Sequence, residues 1–489
     1  MIILGTNSIK DTGFNVANSC RFNDGDSAYM HKTPGSAGNR RKFTFSCWIK
    51  KGDIAPGDDT CLFSGDNSGD DSRPDDIRIR DTGKLYVSFR NTNDGIVSTK
   101  RVLRDPSAWM NIVVAVDTEQ STAENRVKIY INGVQESNLE GDGSGSPTYP
   151  SEDHDCTGFG RDTKITVGAR SKDSPDKFFD GYMAEVCYID GSQLAATSFG
   201  EFDEDSPTIW KPKDVSGLTF GTNGFYLDFE DSSNLGNDAN GGTDLTEVNL
   251  AATDQATDTC TNNFATFNPL DQAETGTAIV FSQGNCKGVT AVDTTAALQS
   301  TIAVSSGKWY AEFKVTKVGD NLSGGRTTVG IGSRNNASVN GHYYGNTASP
   351  VDSYGKYSAS AHYYSNNGST TSYGSSFVDD DIIGVYLDLD NNKLYFSENG
   401  TLYSSTGISI TAAASTLNGH YHIGFSDASA NDNGEVEANY GGCPAFTISS
   451  AVSDDNGYGS FEYSPNITGD GEAKKFYALC TKNLAEFGG

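Results

Sequence analysis

Apolar and polar residues alternate with a period of two through much of the chain. Leu85, Val87 and Phe89 alternate with Tyr86 and Ser88, Val127, Ile129 and Ile131 with Lys128 and Tyr130, and Val385, Leu387 and Leu389 follow the same rule. A period of two sends one set of side chains to one face, so these segments are half-buried strands. Helical periodicity is not sustained over three turns anywhere. Asp94-Gly95, Asn132-Gly133 and Asn399-Gly400 supply the positive φ that tight hairpin turns require. Many antiparallel strands with frequent turns predict an all-β chain of sandwich type rather than βαβ units. Val127–Val134 and Lys393–Leu402 both run an alternating strand into an Asn-Gly turn. Their flanks do not match, so the pattern is two sandwiches, each with one long hairpin, and not a solenoid repeat.

The texture changes between them. From about 210 to 270 the chain is loop-like around Ser232–Gly242, with Gly224–Phe229 as one more strand closing the first sandwich. The expected organisation is residues 1–230 as a first sandwich, 231–274 as a connector, 275–450 as a second sandwich and 451–489 as a C-terminal extension. Within that extension the apolar patch Lys475–Cys480 is expected to dock back as a strand.

Composition narrows the function classes. Lys+Arg is 36 and Asp+Glu 64 in 489 residues, a net charge of −28. Nucleic acid and anionic membrane both need clustered Lys and Arg, so neither is expected as a partner. No apolar run approaches a membrane span, and Ile2–Leu4 are followed at once by polar residues, so no secretory leader is expected. The nine cysteines form no CxxC pair. They are expected as reduced thiols packed as small apolar groups. Cys47 exemplifies this, since Phe43, Phe45, Cys47 and Ile49 share one strand face.

Catalytic constellations are weak. A retaining glycosidase needs two carboxylates about 5–5.5 Å apart. Glu201-Phe202-Asp203 begins such a pattern but meets Ser206 where a third acid would stand, and Glu435-Val436-Glu437 also lacks a third acid. In so acidic a chain these read as surface carboxylates. The histidines at 31, 154, 342, 362, 420 and 422 are scattered, with no HExxH or serine elbow. A loop-rich stretch holds Asp53, Asp58, Asp59, Asp66, Asp70, Asp71, Asp75 and Asp76. Hard oxygens on a loop suit Ca²⁺, with Asp66, Asp70 and Asp71 as candidate ligands, and a solvated acidic loop is the alternative. The most informative stretch is 341–374. It sets His342, Tyr343, Tyr344, Tyr357, His362, Tyr363, Tyr364 and Tyr373 among Gly, Ser and Asn, the mixture of a recognition surface. These tyrosines also suit a sandwich core.

Two resemblances follow from particular segments. Phe43–Lys50, Trp109–Asp117, the Lys128–Val134 hairpin and Asp180–Gly191, in that order, resemble a laminin-G-like, concanavalin-type jelly roll. Ser306–Phe313, Thr328–Gly332, Asp381–Asp388 and Lys393–Gly400 resemble a SPRY domain. Together they imply two antiparallel concanavalin-like jelly-roll sandwiches in tandem. The combination with Asn18–Ser27, Phe220–Phe229, Thr257–Asp271 and Ala478–Asn483-Leu484 is similar to structural proteins of tailed bacteriophages. That resemblance implies a virion location, on its surface or tail, and contacts with other virion proteins. The expected function is a non-enzymatic, tail-fibre or adhesin-type protein, a homo-oligomer, binding host-surface glycan or receptor. A capsid or tail decoration subunit and a polysaccharide depolymerase are the alternatives.

Overall fold

The structure is a computed structural model. It describes residues 13–52, 59–67, 74–89, 94–271, 273–274, 279–292, 295–319, 327–333, 344–345, 352–365, 369–428, 432–468 and 473–488. The chain divides into two compact units, 12–261 and 262–489.

In the unit 12–261, two eight-stranded sheets face each other. Lys42–Lys51 and Gly181–Asp190 run side by side at the centre of one, flanked by Met110–Asp117 and Val127–Ile131. The other is built on Thr60–Gly65, Asp75–Ile79, Lys84–Phe89 and Gly95–Val102. The expected alternation holds: Phe43, Phe45, Cys47 and Ile49 enter the core with Leu85, Val87 and Phe89. Phe63 lies stacked between Phe45, 4.8 Å away, and Phe159, 5.2 Å away. Thr44, Ser46, Trp48 and Lys50, on the opposite face of the same strand, are buried as well. At the hairpin tip Asn132 and Gly133 take φ of 48° and 76°, the conformation expected of an Asn-Gly turn. All nine cysteines are free thiols.

Phe225–Leu227 pairs with Gly181–Asp190, so this strand closes the first sandwich as expected. The stretch expected as a connector does more than connect. Thr246–Val248 adds to one sheet beside Tyr29–Lys32, and Gln255–Ala256 adds to the other beside Ser19–Phe22. Asp258 then anchors the unit from within, accepting from Lys50 Nζ at 2.7 Å and from the Trp109 indole at 2.9 Å. The first sandwich therefore runs on to Thr261. Its late strands are only two or three residues long, too short to show a period.

In the unit 262–489, one sheet has seven strands, ending on Ser353–Tyr357, His362–Ser365 and Ser369–Ser372. The other has nine, centred on Lys308–Lys317 and Ile382–Asp388. Trp309, Ala311, Phe313 and Val315 enter the core between the sheets. The intervening Tyr310 enters a second cluster with Tyr386, Tyr395, Phe461, Phe476 and Cys480. The C-terminal residues thus form a third layer over this sheet. Tyr477–Ala478 pairs in parallel with Lys308–Lys317, which is the docking strand expected of the apolar patch. A short helix, Thr481–Phe487, follows it.

Candidate ligand-binding site

The aromatic stretch is taken partly inside. Tyr344 is 4 % exposed; its hydroxyl donates to the Leu298 carbonyl at 3.0 Å. Tyr357 and Tyr373 are buried, the latter packed edge-on to Phe396, Tyr403 and Tyr363. These three tyrosines are buried, which corrects the expectation that they belong to a recognition surface and agrees with the core alternative. The reason is that the Ser353–Tyr357 strand is covered on both faces: Tyr354 enters the core, while Tyr344 packs within van der Waals reach of Gly355 on the other side. His362 and Tyr363 remain half-buried on their strand, and His362 Nδ1 lies 3.1 Å from Ser360 Oγ. His342, Tyr343 and the side chain of Tyr364 lie outside the described residues.

Lys356 organises that region. It is fully buried and its Nζ donates to the carbonyls of Tyr357, Ser360 and His362. The same nitrogen sits 5.1 Å from the centre of the Tyr403 ring. Burial holds its pKa down to about 8.

The acid-rich stretch is spent on the protein itself. Asp59 pairs with Arg78, Arg80 and Lys177. Asp75 accepts from the Gly158 and Phe159 amides, and Asp76 from Ser88 Oγ. Asp66 is half-buried, its backbone tied to Lys164 and Thr163, and Asp70 and Asp71 lie outside the described residues. Among the described residues no three His, Cys, Asp or Glu side chains are grouped to hold a metal ion. Glu201 and Asp203 both reach Lys211, and Glu437 reaches Lys287.

The structure adds a candidate site that the sequence did not announce, an open cleft of about 610 Å³ in the unit 12–261. Strand register assembles it. Lys42 lies opposite Asp117, and Phe43 opposite Asp190, so three neighbouring strands end together. The turn at 37–41, Glu119, Asp155, Asp190-Gly191 and Gly221-Thr222 line it. Asp190 pins the floor, accepting from the Asn39 amide at 2.7 Å and the Asn223 amide at 3.0 Å. Asn39 Oδ1 in turn accepts from the amides of Arg41 and Lys42. A Cβ on Gly38 would stand 2.1 Å from Asp190 Oδ2, and Gly221 has φ +81° with its Cβ position 2.0 Å from the Asp190 carbonyl. Gly221 is required by its positive φ and the Asp190 backbone, and a side chain at Gly38 would displace the Asp190 carboxylate from the floor.

The walls are charged. Arg41 Nε donates to Asp155 Oδ1 at 2.7 Å and Nη1 to Asp153 at 3.1 Å, while Lys42 pairs with Glu119 at 2.7 Å. The Arg41 bond holds the Asp155 carboxyl below the usual range and raises the guanidinium above its own. Arg40 donates to the Cys156 carbonyl at 2.8 Å. Exposed pairs of this kind contribute little to stability, so their donors and acceptors can be shared with a ligand at small cost. The lining holds no aromatic ring; what it offers is hydrogen-bond donors and acceptors. The contributing turns lie up to about 180 residues apart, and only strand register brings them together.

Residues 23–195 match the family model of the concanavalin A-like lectin/glucanases superfamily, Laminin_G_3. Residues 308–417 match the SPRY domain model. The chain carries one domain of each kind. The cleft belongs to the first of them, apart from Gly221 and Thr222, which follow the matched segment. Among solved structures, the chain is similar to the SPRY domain of human HERC1, at 19% identity over 37% of this chain and 99% of that one, with a TM-score of 0.29. It is also similar to a putative carbohydrate binding protein from Bacteroides ovatus, at 15% identity, 48% and 58% coverage and a TM-score of 0.32. The chain spans just over half the length of the latter. No curated protein sequence matches the chain.

Proposed function

We propose that this chain is a non-enzymatic binding protein that takes a host-surface glycan or glycan-bearing receptor in the cleft of its concanavalin A-like domain, on the surface or tail of a phage particle. The observation that carries the binding reading is the cleft itself. Its floor is fixed by Asp190 and two glycines, and its walls offer Arg41, Asp155 and Glu119 to hydroxyl groups. Glycoside hydrolysis needs one carboxyl kept protonated beside a second carboxylate. Here Asp155 is paired with Arg41 and Glu119 with Lys42, so these carboxylates of the cleft are engaged by cations rather than set as an acid and base pair, which supports binding without turnover.

The particle location rests on the segments that resemble phage structural proteins. Two pairs of them meet as seams. Ser19 Oγ donates to the Asp258 carbonyl at 2.6 Å, and the Asn263 amide donates to Thr481 Oγ1 at 3.0 Å. The test is a glycan array with the full chain and with its R41A/D155A variant, followed by incubation of the bound polysaccharide. Binding lost in the variant, with no oligosaccharide released, is the expected result. Release of product would overturn the non-enzymatic reading, and undiminished binding by the variant would remove the cleft. Antibody labelling of intact particles tests the location.

A further inference from the structure

The seven-stranded sheet of the SPRY domain ends on Ser369–Ser372, which pairs on one side with His362–Ser365. All four residues are exposed, and among the described residues nothing pairs with the outer side of this strand. Such an edge offers a row of unpaired backbone donors and acceptors, and soluble proteins ordinarily blunt it with Lys, Pro, a bulge or a covering loop. Ser-Thr-Thr-Ser carries no Lys or Pro, and its register against the neighbouring strand is unbroken.

Two independent observations say what fits there. The segment is a palindrome. A second copy laid antiparallel along it would set Ser369 against Ser372 and Thr370 against Thr371 in both halves, pairs that stabilise a sheet. The sequence around it is also uncharged. From Tyr357 to Val378 there is no Asp, Glu, Lys or Arg, in a chain that carries 100 such residues and a net charge of −28. Two copies of so acidic a chain repel over most of their surface, and this window lets backbones approach without opposing like charges.

We infer that the Ser369–Ser372 edge is the contact through which this chain pairs with a second copy of itself, antiparallel and edge to edge, joining two seven-stranded sheets into one. The pairing is isologous, so it closes at two copies and does not propagate. Four residues a side bury well under the roughly 1,000 Å² typical of a stable interface, so association is concentration-dependent, in a range of about 10–100 µM.

Analytical ultracentrifugation of the full chain tests this. The weight-average mass is expected to rise from 52.1 kDa toward twice that value with concentration. T370E/T371E and T370K/T371K, both on exposed positions, are each expected to associate at least tenfold more weakly while keeping the wild-type circular dichroism. An equimolar mixture of the two variants is expected to associate again. That rescue separates a broken contact from a damaged fold. A wild-type chain of single mass across the whole range, a trimer, undiminished association of the glutamate variant, or failure of the mixture to pair would each overturn the inference.

Discussion

Glu185 shows how far one side chain can be moved from its ordinary state by its place in a strand. It sits where the register of Gly181–Asp190 slips, at φ +51°, and is 6 % exposed. Burial, with Asp228, Glu230 and Asp214 nearby, pushes its carboxyl up to about 8, against the opposing hydrogen bond from Tyr226 at 2.7 Å. An acid whose folded pKa lies above its unfolded value of 4.5 binds its proton more tightly when folded. Its contribution is complete below pH 4.5 and is lost as pH rises toward 8, with a slope of at most about 1.4 kcal/mol per pH unit. Glu185→Gln keeps an acceptor for Tyr226 and removes the titration. The variant is expected to match wild type near pH 5 and to exceed it at pH 8, read by urea unfolding across that range. His422 works in the other direction. It is buried with Nδ1 donating to the Ser300 carbonyl at 2.8 Å, and burial beside His420 holds it down to about 3. A base with a lowered folded pKa contributes fully above 6.5 and loses that contribution as pH falls. His422→Gln, less stable at pH 7, is expected to lose less than wild type between pH 6.5 and 4, measured by the same unfolding on residues 262–489.

At the scale of elements, the alternation in Lys308–Lys317 states which residues face the core, and it is right at Trp309, Ala311, Phe313 and Val315. It also implies that Tyr310 and Glu312 face outward, and there it stops. Both are fully buried, because residues from about 150 positions later lie over them. Glu312 accepts from the amides of Glu462 and Tyr463, from Tyr310 and from Asn439, and Phe476 packs edge-on against Tyr386, 5.2 Å away. Strand period and turn chemistry are local signals, so the two sandwiches and both Asn-Gly hairpins were legible. What covers an outer face is set by long-range packing. For that reason the 231–261 strands and the cleft were not legible, and the choice between surface and core for Tyr344 and Tyr373 stayed open. The docked segment yields a direct expectation. Phe476→Ala opens a cavity under a fully buried ring and costs about 3–5 kcal/mol. It should also release the third layer, so that limited proteolysis cuts between 451 and 475 faster than in wild type. Unchanged cleavage would mean that Glu312 alone holds the segment.

For the whole molecule, the distribution of its cores carries the clearest consequence. Among the described residues, one cluster draws its members from Cys20 to Leu245, and two others draw theirs from Phe264 to Leu484. None of these three clusters of described residues mixes 12–261 with 262–489. Each unit has well over the length that a stable domain requires, so residues 12–261 and 262–489 produced separately are expected to fold, each with a cooperative transition. Phe63 makes this testable within the intact chain. It is fully buried and stacked between Phe45 and Phe159, so Phe63→Ala should cost about 3–5 kcal/mol, a fall of roughly 10 °C in the melting of a unit this size. Trp309 is the one tryptophan of 262–489, against Trp48, Trp109 and Trp210 in 12–261. In a chain carrying Phe63→Ala and keeping Trp309 alone, with the other three tryptophans replaced by phenylalanine, fluorescence reports the second unit and calorimetry reports both. The calorimetric transition of the first unit is expected to move down while the Trp309 transition stays where it is in the same chain with Phe63 restored. If both move together, the two units unfold as one body and the separate cores do not confer separate stability.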